Sequence, residues 1–169
     1  MPPVNHARRE RLGAAAIEIL ASAGARGLTH RAVDLHAGEP PGTTSRYFRT
    51  RDALLTAAAE RARDLHFADL RAERQDLLSI VRNALGANRS RHLAMFELFL
   101  ESTRRPALRE TLTEIRRSQI ELIQKARGLS ESEATSLVSA VTGLVLIGLT
   151  TPSAIGPDEV EHLMRAWAV

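Results

Sequence analysis

The sequence predicts an all-α protein, and three observations carry that prediction. Apolar residues recur at helical spacing along nearly all of the 169-residue chain. No segment alternates apolar and polar residues with β-branched side chains for long enough to read as a strand. Ser, Thr, Gly and Pro fall between the periodic stretches, where helices start and stop.

Taken in order, Leu12, Ala16, Ile19, Leu20 and Ala23 mark a first amphipathic helix, which Gly24 is expected to close. Thr29 stands where an N-cap belongs, ahead of Ala32, Val33 and His36. Ala37-Gly38 breaks that helix. Pro40-Pro41-Gly42 then leads into a short helix over Thr43–Tyr47, since proline is tolerated before and within a first helical turn. Thr50 caps a further helix with Asp52 in its first turn and Leu54, Leu55, Ala58 and Leu65 inward. Leu77, Leu78, Val81 and Leu85 make another, ending near Gly86, and Leu93, Phe96, Phe99 and Leu100 the next. Pro106 opens a longer helix through Leu108, Leu112, Ile115, Ile120 and Ile123 to Gly128. Ser130 with Glu133 is a capping-box pattern before Leu137, Val138, Val141, Leu144, Val145 and Leu149. Val160, Leu163, Met164 and Trp167 mark a last short helix. That makes about nine helices and no sheet.

Composition narrows the function. With 44% hydrophobic and 25% charged residues the chain can build a real core. The absence of cysteine excludes disulfides, thiolate metal sites and thiol catalysis. The most apolar stretch, Leu137–Leu149, is 13 residues long, short of the ~20 that a bilayer span needs. A soluble, cytoplasmic protein with no membrane partner is expected. The net charge of +3 is unevenly placed. Residues 1–51 hold eight Arg against four acids, and the remainder holds 15 basic and 16 acidic side chains. A basic first third on a nearly neutral body points to an N-terminal module for a polyanion.

Thr29 to Tyr47 has the layout of a helix-turn-helix, in which a bracing helix is followed by a tight turn and a presented helix. That layout alone is common. The longer run RRERLGAAAIEILASAGARGLTHRAVDLHAGEPPGTTSRYFRTRDALL is more specific. Its Arg-rich opening, Gly24, Gly27-Leu28-Thr29, Ala37-Gly38, Gly42-Thr43, Tyr47-Phe48 and Arg51-Asp52 before Leu54-Leu55 resemble the N-terminal domain of TetR/AcrR-family transcriptional regulators. The resemblance is dense over residues 8–55; beyond that it lies in helix number and order.

The resemblance implies a DNA-binding domain over residues 1–50 and a helical effector-binding and dimerisation domain over residues 51–169. It implies a homodimer on palindromic double-stranded operator DNA, and a repressor relieved by a small apolar effector. Arg31, Thr43, Ser45 and Arg46 are the expected base contacts. Arginine can donate twice to guanine, and threonine can offer a hydroxyl or meet a thymine methyl. Thr29, His30, Gly42, Tyr47 and Arg51 are the expected backbone contacts, which set register and affinity rather than sequence. Thr44 is expected to face inward and Phe48 to pack the small core. Leu65, His66, Leu78, Val81, Phe96, Phe99, Ile115 and Gln119 are the expected effector pocket. Leu137, Ala140, Val141, Gly143, Leu144, Val145, Leu163 and Trp167 are the expected dimer interface, where small residues let two helices approach closely. The sequence departs from the family pattern at Glu39, where an aliphatic residue is usual, at Pro40 in place of a Ser or Thr cap, and at Ser45 in place of an aromatic. Glu39 is expected to weaken sequence-independent attraction to phosphate.

Two other readings were weighed on the residues. A helical-bundle enzyme or metal carrier needs clustered Glu and His. Only one such pair, Glu159 and His162, has ligand spacing, so no catalytic residue, metal or cofactor is expected. No nucleophile elbow or Gly-rich phosphate loop occurs either. The alternative within DNA binding is a body that only dimerises and senses nothing.

Overall fold

The structure, a computed structural model, describes residues 5–72, 77–151 and 162. The described residues form eight helices and no strand: α1 (His6–Gly27), α2 (His30–His36), α3 (Thr43–Tyr47), α4 (Arg51–Ala72), α5 (Leu77–Leu85), α6 (Arg89–Ser102), α7 (Pro106–Arg127) and α8 (Glu131–Thr150). The expected ninth helix, with Leu163 and Trp167, lies outside the described residues, as does Glu159; His162 is helical.

The start and stop signals work as local chemistry. Thr29 has extended backbone and its hydroxyl accepts the Ala32 N–H at 3.1 Å, and the Thr50 hydroxyl accepts that of Ala53 at 3.1 Å. Each satisfies a first-turn donor that the helix itself cannot. Ser130 and Glu133 form a full capping box. Gly128 follows α7 with φ 67°. Gly24 ends the regular part of the first helix, as expected, and a kink follows it. It takes φ 65° and ψ −176°, and the helix resumes for a last short stretch to Gly27.

The chain divides into two compact units, Met1–Leu65 with Ser90–Thr113, and His66–Arg89 with Glu114–Val169. In the first, α1 packs on α2 and α2 on α3. Its fully buried side chains include Leu12, Leu20, Leu28, Val33, Leu54, Leu55, Leu98 and Leu108. In the second, α5 packs on α8. Leu70, Leu77, Ile80, Ile123, Ala134, Leu137 and Val138 form its apolar cluster, flanked by Phe67, Ile120, Leu122, Leu129 and Val141. A Cβ on Gly148 would fall 2.7 Å from Leu85 Cδ2, so any larger residue there would have to push the Leu85 side chain aside where α5 meets α8.

By length and composition α8 could cross a bilayer, more than its 13-residue apolar run implied. Leu137 and Val138 instead sit in the second unit's core. Leu146 and Ile147, on another face, are exposed.

Candidate nucleic-acid interface

The α2–α3 turn is built around one buried carboxylate. Asp34 is 3% exposed and accepts from the Gly42 N–H (2.7 Å), the Thr44 N–H (2.7 Å) and the Thr44 hydroxyl (2.5 Å). Burial pushes its carboxyl pKa up, but these three bonds and the neighbouring His30 outweigh it and hold the group below its ordinary value. Gly42 takes φ 85°, a left-handed conformation that favours glycine, and this aims its N–H at Asp34. Asp34 thus caps α3 from α2, replacing the side-chain cap that Gly42 lacks. Within α2 the acid faces inward while neighbouring Leu35 is 83% exposed, the reverse of an ordinary amphipathic pattern, so hydrophobic periodicity does not point to Asp34.

Further polar bonds fix the rest of this unit. His30 Nε2 lies 2.6 Å from the Phe48 carbonyl. The Arg51 guanidinium donates to the Ala25 and Leu28 carbonyls at the end of α1. The bend at Gly24 is answered from α6, where Glu97 accepts the Ala25 N–H at 3.0 Å. Arg105 bridges Glu101, at 2.8 Å, and Asp52 at the start of α4. At the other end of α1, one oxygen of Glu39 accepts from Arg8 Nε (3.1 Å) and Arg11 Nη2 (2.8 Å). Arg9 pairs with Glu60 at 3.3 Å and lies over the Phe48 ring, 5.1 Å from its centroid. The roles of Glu97, Glu39 and Asp52 join residues up to 72 positions apart, which no local pattern announces.

Among the expected base contacts, Arg31, Ser45 and Arg46 are exposed. Thr43 is 8% exposed, and its hydroxyl donates to the Pro40 carbonyl at 2.7 Å. Ser45 donates to the Gly42 carbonyl at 2.9 Å. Thr44 is fully buried, as expected, and so is Phe48. Among the expected backbone contacts, Thr29 is exposed, while His30, Gly42, Tyr47 and Arg51 are half-buried.

The expected effector residues divide between the units. Leu65, Phe96 and Phe99 belong to the first, where the two Phe rings meet edge-on at 6.1 Å. His66, Leu78, Val81, Ile115 and Gln119 belong to the second. There the Gln119 side-chain nitrogen lies 3.1 Å from His66 Nε2, the geometry of an N–H given to an unprotonated ring nitrogen. Val81 and Ile115 are buried, and Leu78 is half-buried. Among the expected interface residues, Leu137 and Val145 are buried within the chain itself. Ala140, Val141, Gly143 and Leu144 are half-buried.

No curated protein matches the chain. Among solved structures, the multidrug binding protein EbrR complexed with ethidium is similar at TM-score 0.77 and 27% identity, covering 95% of this chain and 98% of that one. EbrR complexed with imidazole is similar at 0.74 and 30% identity, covering 95% and 93%. A TetR-family member from Streptomyces coelicolor A3, SCO1917, is similar at 0.79 and 30% identity, covering 94% and 96%. The family profile described as "Tetracyclin repressor-like, C-terminal domain" matches residues 68–168, the half of the chain that the helix-turn-helix resemblance did not reach. With residues 8–55 patterned like the family's DNA-binding domain and residues 68–168 matched by the family's own profile, the chain is a member of the TetR family of transcriptional regulators.

Proposed function

We propose that the protein is a sequence-specific DNA-binding repressor. It acts in the cytoplasm as a homodimer on a palindromic operator and is relieved by a small molecule. Residues 1–50 carry the DNA contacts and residues 51–169 the effector site and dimer interface. The observation that carries the reading is Asp34. It fixes α3 against α2 by three hydrogen bonds and leaves Arg31, Ser45 and Arg46 exposed beside the turn. A rigidly held short helix with exposed donors is what base reading requires, because misplacing a bidentate arginine forfeits its discrimination. Arg31 and Arg46 are assigned to base edges, with Ser45 beside them. Thr43, with its hydroxyl engaged by Pro40, keeps its methyl group for a thymine contact. Thr29, His30, Gly42 and Tyr47 are assigned to phosphate. Arg51 reaches phosphate only with whatever donor capacity its clamp on α1 leaves.

Dimerisation is assigned to the outward face of α8 around Ala140, Gly143 and Leu144. Effector relief is a population shift. A bound ligand favours a spacing of the two recognition helices that no longer matches successive major grooves, ~34–36 Å apart. The ethidium complex of EbrR supports an aromatic effector for this chain. The His66–Gln119 pair supplies polar orientation in a largely apolar body.

Selection of binding sites from a random duplex library tests the core of the proposal. An enriched two-fold-symmetric site is expected, and its absence overturns it. With that site in hand, Arg31→Ala should lose ~1–3 kcal/mol of discrimination at one base pair per half-site. Equal weakening on all sequences would move Arg31 to the phosphate class.

A further inference from the structure

Glu39 stands in the α2–α3 turn, where its N–H donates to the Asp34 carbonyl at 2.9 Å. Its carboxylate meets the first turns of α1, and its side chain is only 7% exposed, while the Arg8 and Arg11 side chains that meet it are 41% and 53% exposed. One carboxylate oxygen accepts from both, at 3.1 and 2.8 Å. The arrangement is that of a phosphate held by two guanidinium groups, with Glu39 in the phosphate's place. The two arginine side chains are substantially exposed and the Glu39 side chain is not. A phosphate approaching from solvent therefore meets the arginines before it meets the carboxylate. Two arginines balanced by one carboxylate carry a net +1, so Glu39 halves the charge that the Arg8–Arg11 pair offers to a polyanion.

We propose that Arg8 and Arg11 form a DNA-phosphate site in which Glu39 is an internal competitor, a positioning residue that sets how strongly the protein binds DNA of any sequence. The proposal rests on the DNA-binding reading. It adds to that reading a site at the N-terminal end of α1, and a reason for an acid to stand in a turn whose neighbours are expected to touch DNA. In the free protein the carboxylate orders the two arginines and screens them. On DNA, one phosphate shares or takes over their N–H donors. The charge count predicts the size of the effect. Removing the Glu39 charge adds one unit of positive charge at the site, and each phosphate neutralised contributes ~0.9 to the slope of log K against log salt.

Fluorescence anisotropy with a labelled random-sequence duplex, at salt concentrations from ~50 to ~200 mM, tests this on the full chain. Glu39→Gln keeps the size and hydrogen-bonding shape of the side chain and removes its charge. It should steepen the salt slope by about one and tighten binding roughly five- to ten-fold at the lower salt. The gain should be the same on a selected operator, because phosphate contacts carry no sequence information. Adding Arg8→Ala and Arg11→Ala should abolish the gain. A gain that persists without both arginines means that Glu39 repels DNA directly, and overturns the proposal. An unchanged slope in Glu39→Gln, with helicity retained by circular dichroism, overturns it too. Glu39→Ala carries the same test if the Gln variant does not fold. Binding by the unsubstituted protein separates the two readings: if it binds no duplex, DNA binding itself fails; if it binds and the slope does not move, only the Glu39 assignment fails.

Discussion

Asp34 in the first unit and Leu137 in the second are nearly equally buried, at 3% and 1%, and they organise their surroundings by opposite means. Asp34 holds Gly42 and Thr44 through directional bonds from named donors. Leu137 fills space among Leu70, Leu77, Ile80 and Ile123, where any side chain of similar volume would serve. The same contrast runs through each unit. The first adds the Arg51 clamp, the Glu97 contact at the Gly24 bend and the Arg105 bridge to Asp52. The described part of the second is dominated by one apolar cluster and by an α8 that keeps Leu146 and Ile147 on its surface. Directional bonds fix angles, which the proposed base-reading role of α3 requires. Non-directional packing tolerates repacking, which suits the dimerisation and ligand binding proposed for the second unit.

The comparison breaks most sharply on the exposed side of α8. A Cβ added at Gly143 meets nothing within 4 Å, so the chain itself has room for Gly143→Glu. In a dimer seam the same carboxylate would be buried without a partner, at a cost of ~3–5 kcal/mol. The variant should keep its helicity, sediment as a monomer in analytical ultracentrifugation and lose operator binding at concentrations where the original protein binds fully. A variant that remains dimeric places the interface elsewhere.

Conservative and drastic substitutions at the two buried positions sharpen the contrast. Asp34→Ala leaves the Gly42 and Thr44 N–H groups without their acceptor and should cost ~3 kcal/mol in urea unfolding, since each orphaned donor costs ~1–3 kcal/mol. Leu137→Ala should cost a similar ~2–5 kcal/mol by leaving a cavity. The conservative changes should then part company. Leu137→Met should recover most of the loss, to within ~1.5 kcal/mol. Asp34→Asn should recover little, because an amide has one acceptor oxygen where three donors converge. Equal recovery at the two sites would mean that the turn is held by packing after all.

The ease of reading followed the same divide. Caps and helix limits were legible because their physics is local: Thr29, Thr50, Pro106, Gly128 and the Ser130–Glu133 box all act within one turn of chain. Gly24 reads as a helix end and its backbone leaves helical geometry there; the short stretch beyond it is not legible, because the Glu97 carboxylate that takes up its first N–H arrives from α6. Arg8, Arg9 and Arg11 count toward the basic first third, and each has an acid across the fold. Arg51 matched a phosphate-contacting position, but in the structure it grips the end of α1. Such long-range pairings leave no periodic trace, so a basic stretch overstates the charge it can offer a ligand.

The smallest effect concerns acid, and its sign follows from the same comparison. Three carboxylates of the first unit are held below their ordinary pKa. For Asp34, burial pushes upward but the bonds from Thr44 and Gly42 prevail; for Glu39 the cause is Arg11 and then Arg8; for Glu101 it is Arg105 and then Arg104. In the second unit Glu133 is lowered by the Ser130 side chain and backbone, a contact confined to the first turn of α8. A group whose folded pKa is depressed contributes stability that is present above its unfolded value, near 3.9 for Asp and 4.3 for Glu, and lost as pH falls through the folded value. Little should therefore change between neutral pH and about pH 5, and the loss should set in below about pH 4. It should fall first on the first unit, since three of its contacts weaken together while the apolar cluster has no charge to lose. Hydrogen-exchange protection, corrected for the intrinsic pH dependence of exchange, would report this element by element. The amides of α2 and α3 should open at higher pH than those of α5 and the centre of α8, and Asp34→Asn should bring that opening up to neutral pH. If α5 and α8 open first on acidification, the frame of the first unit does not depend on its ionised carboxylates.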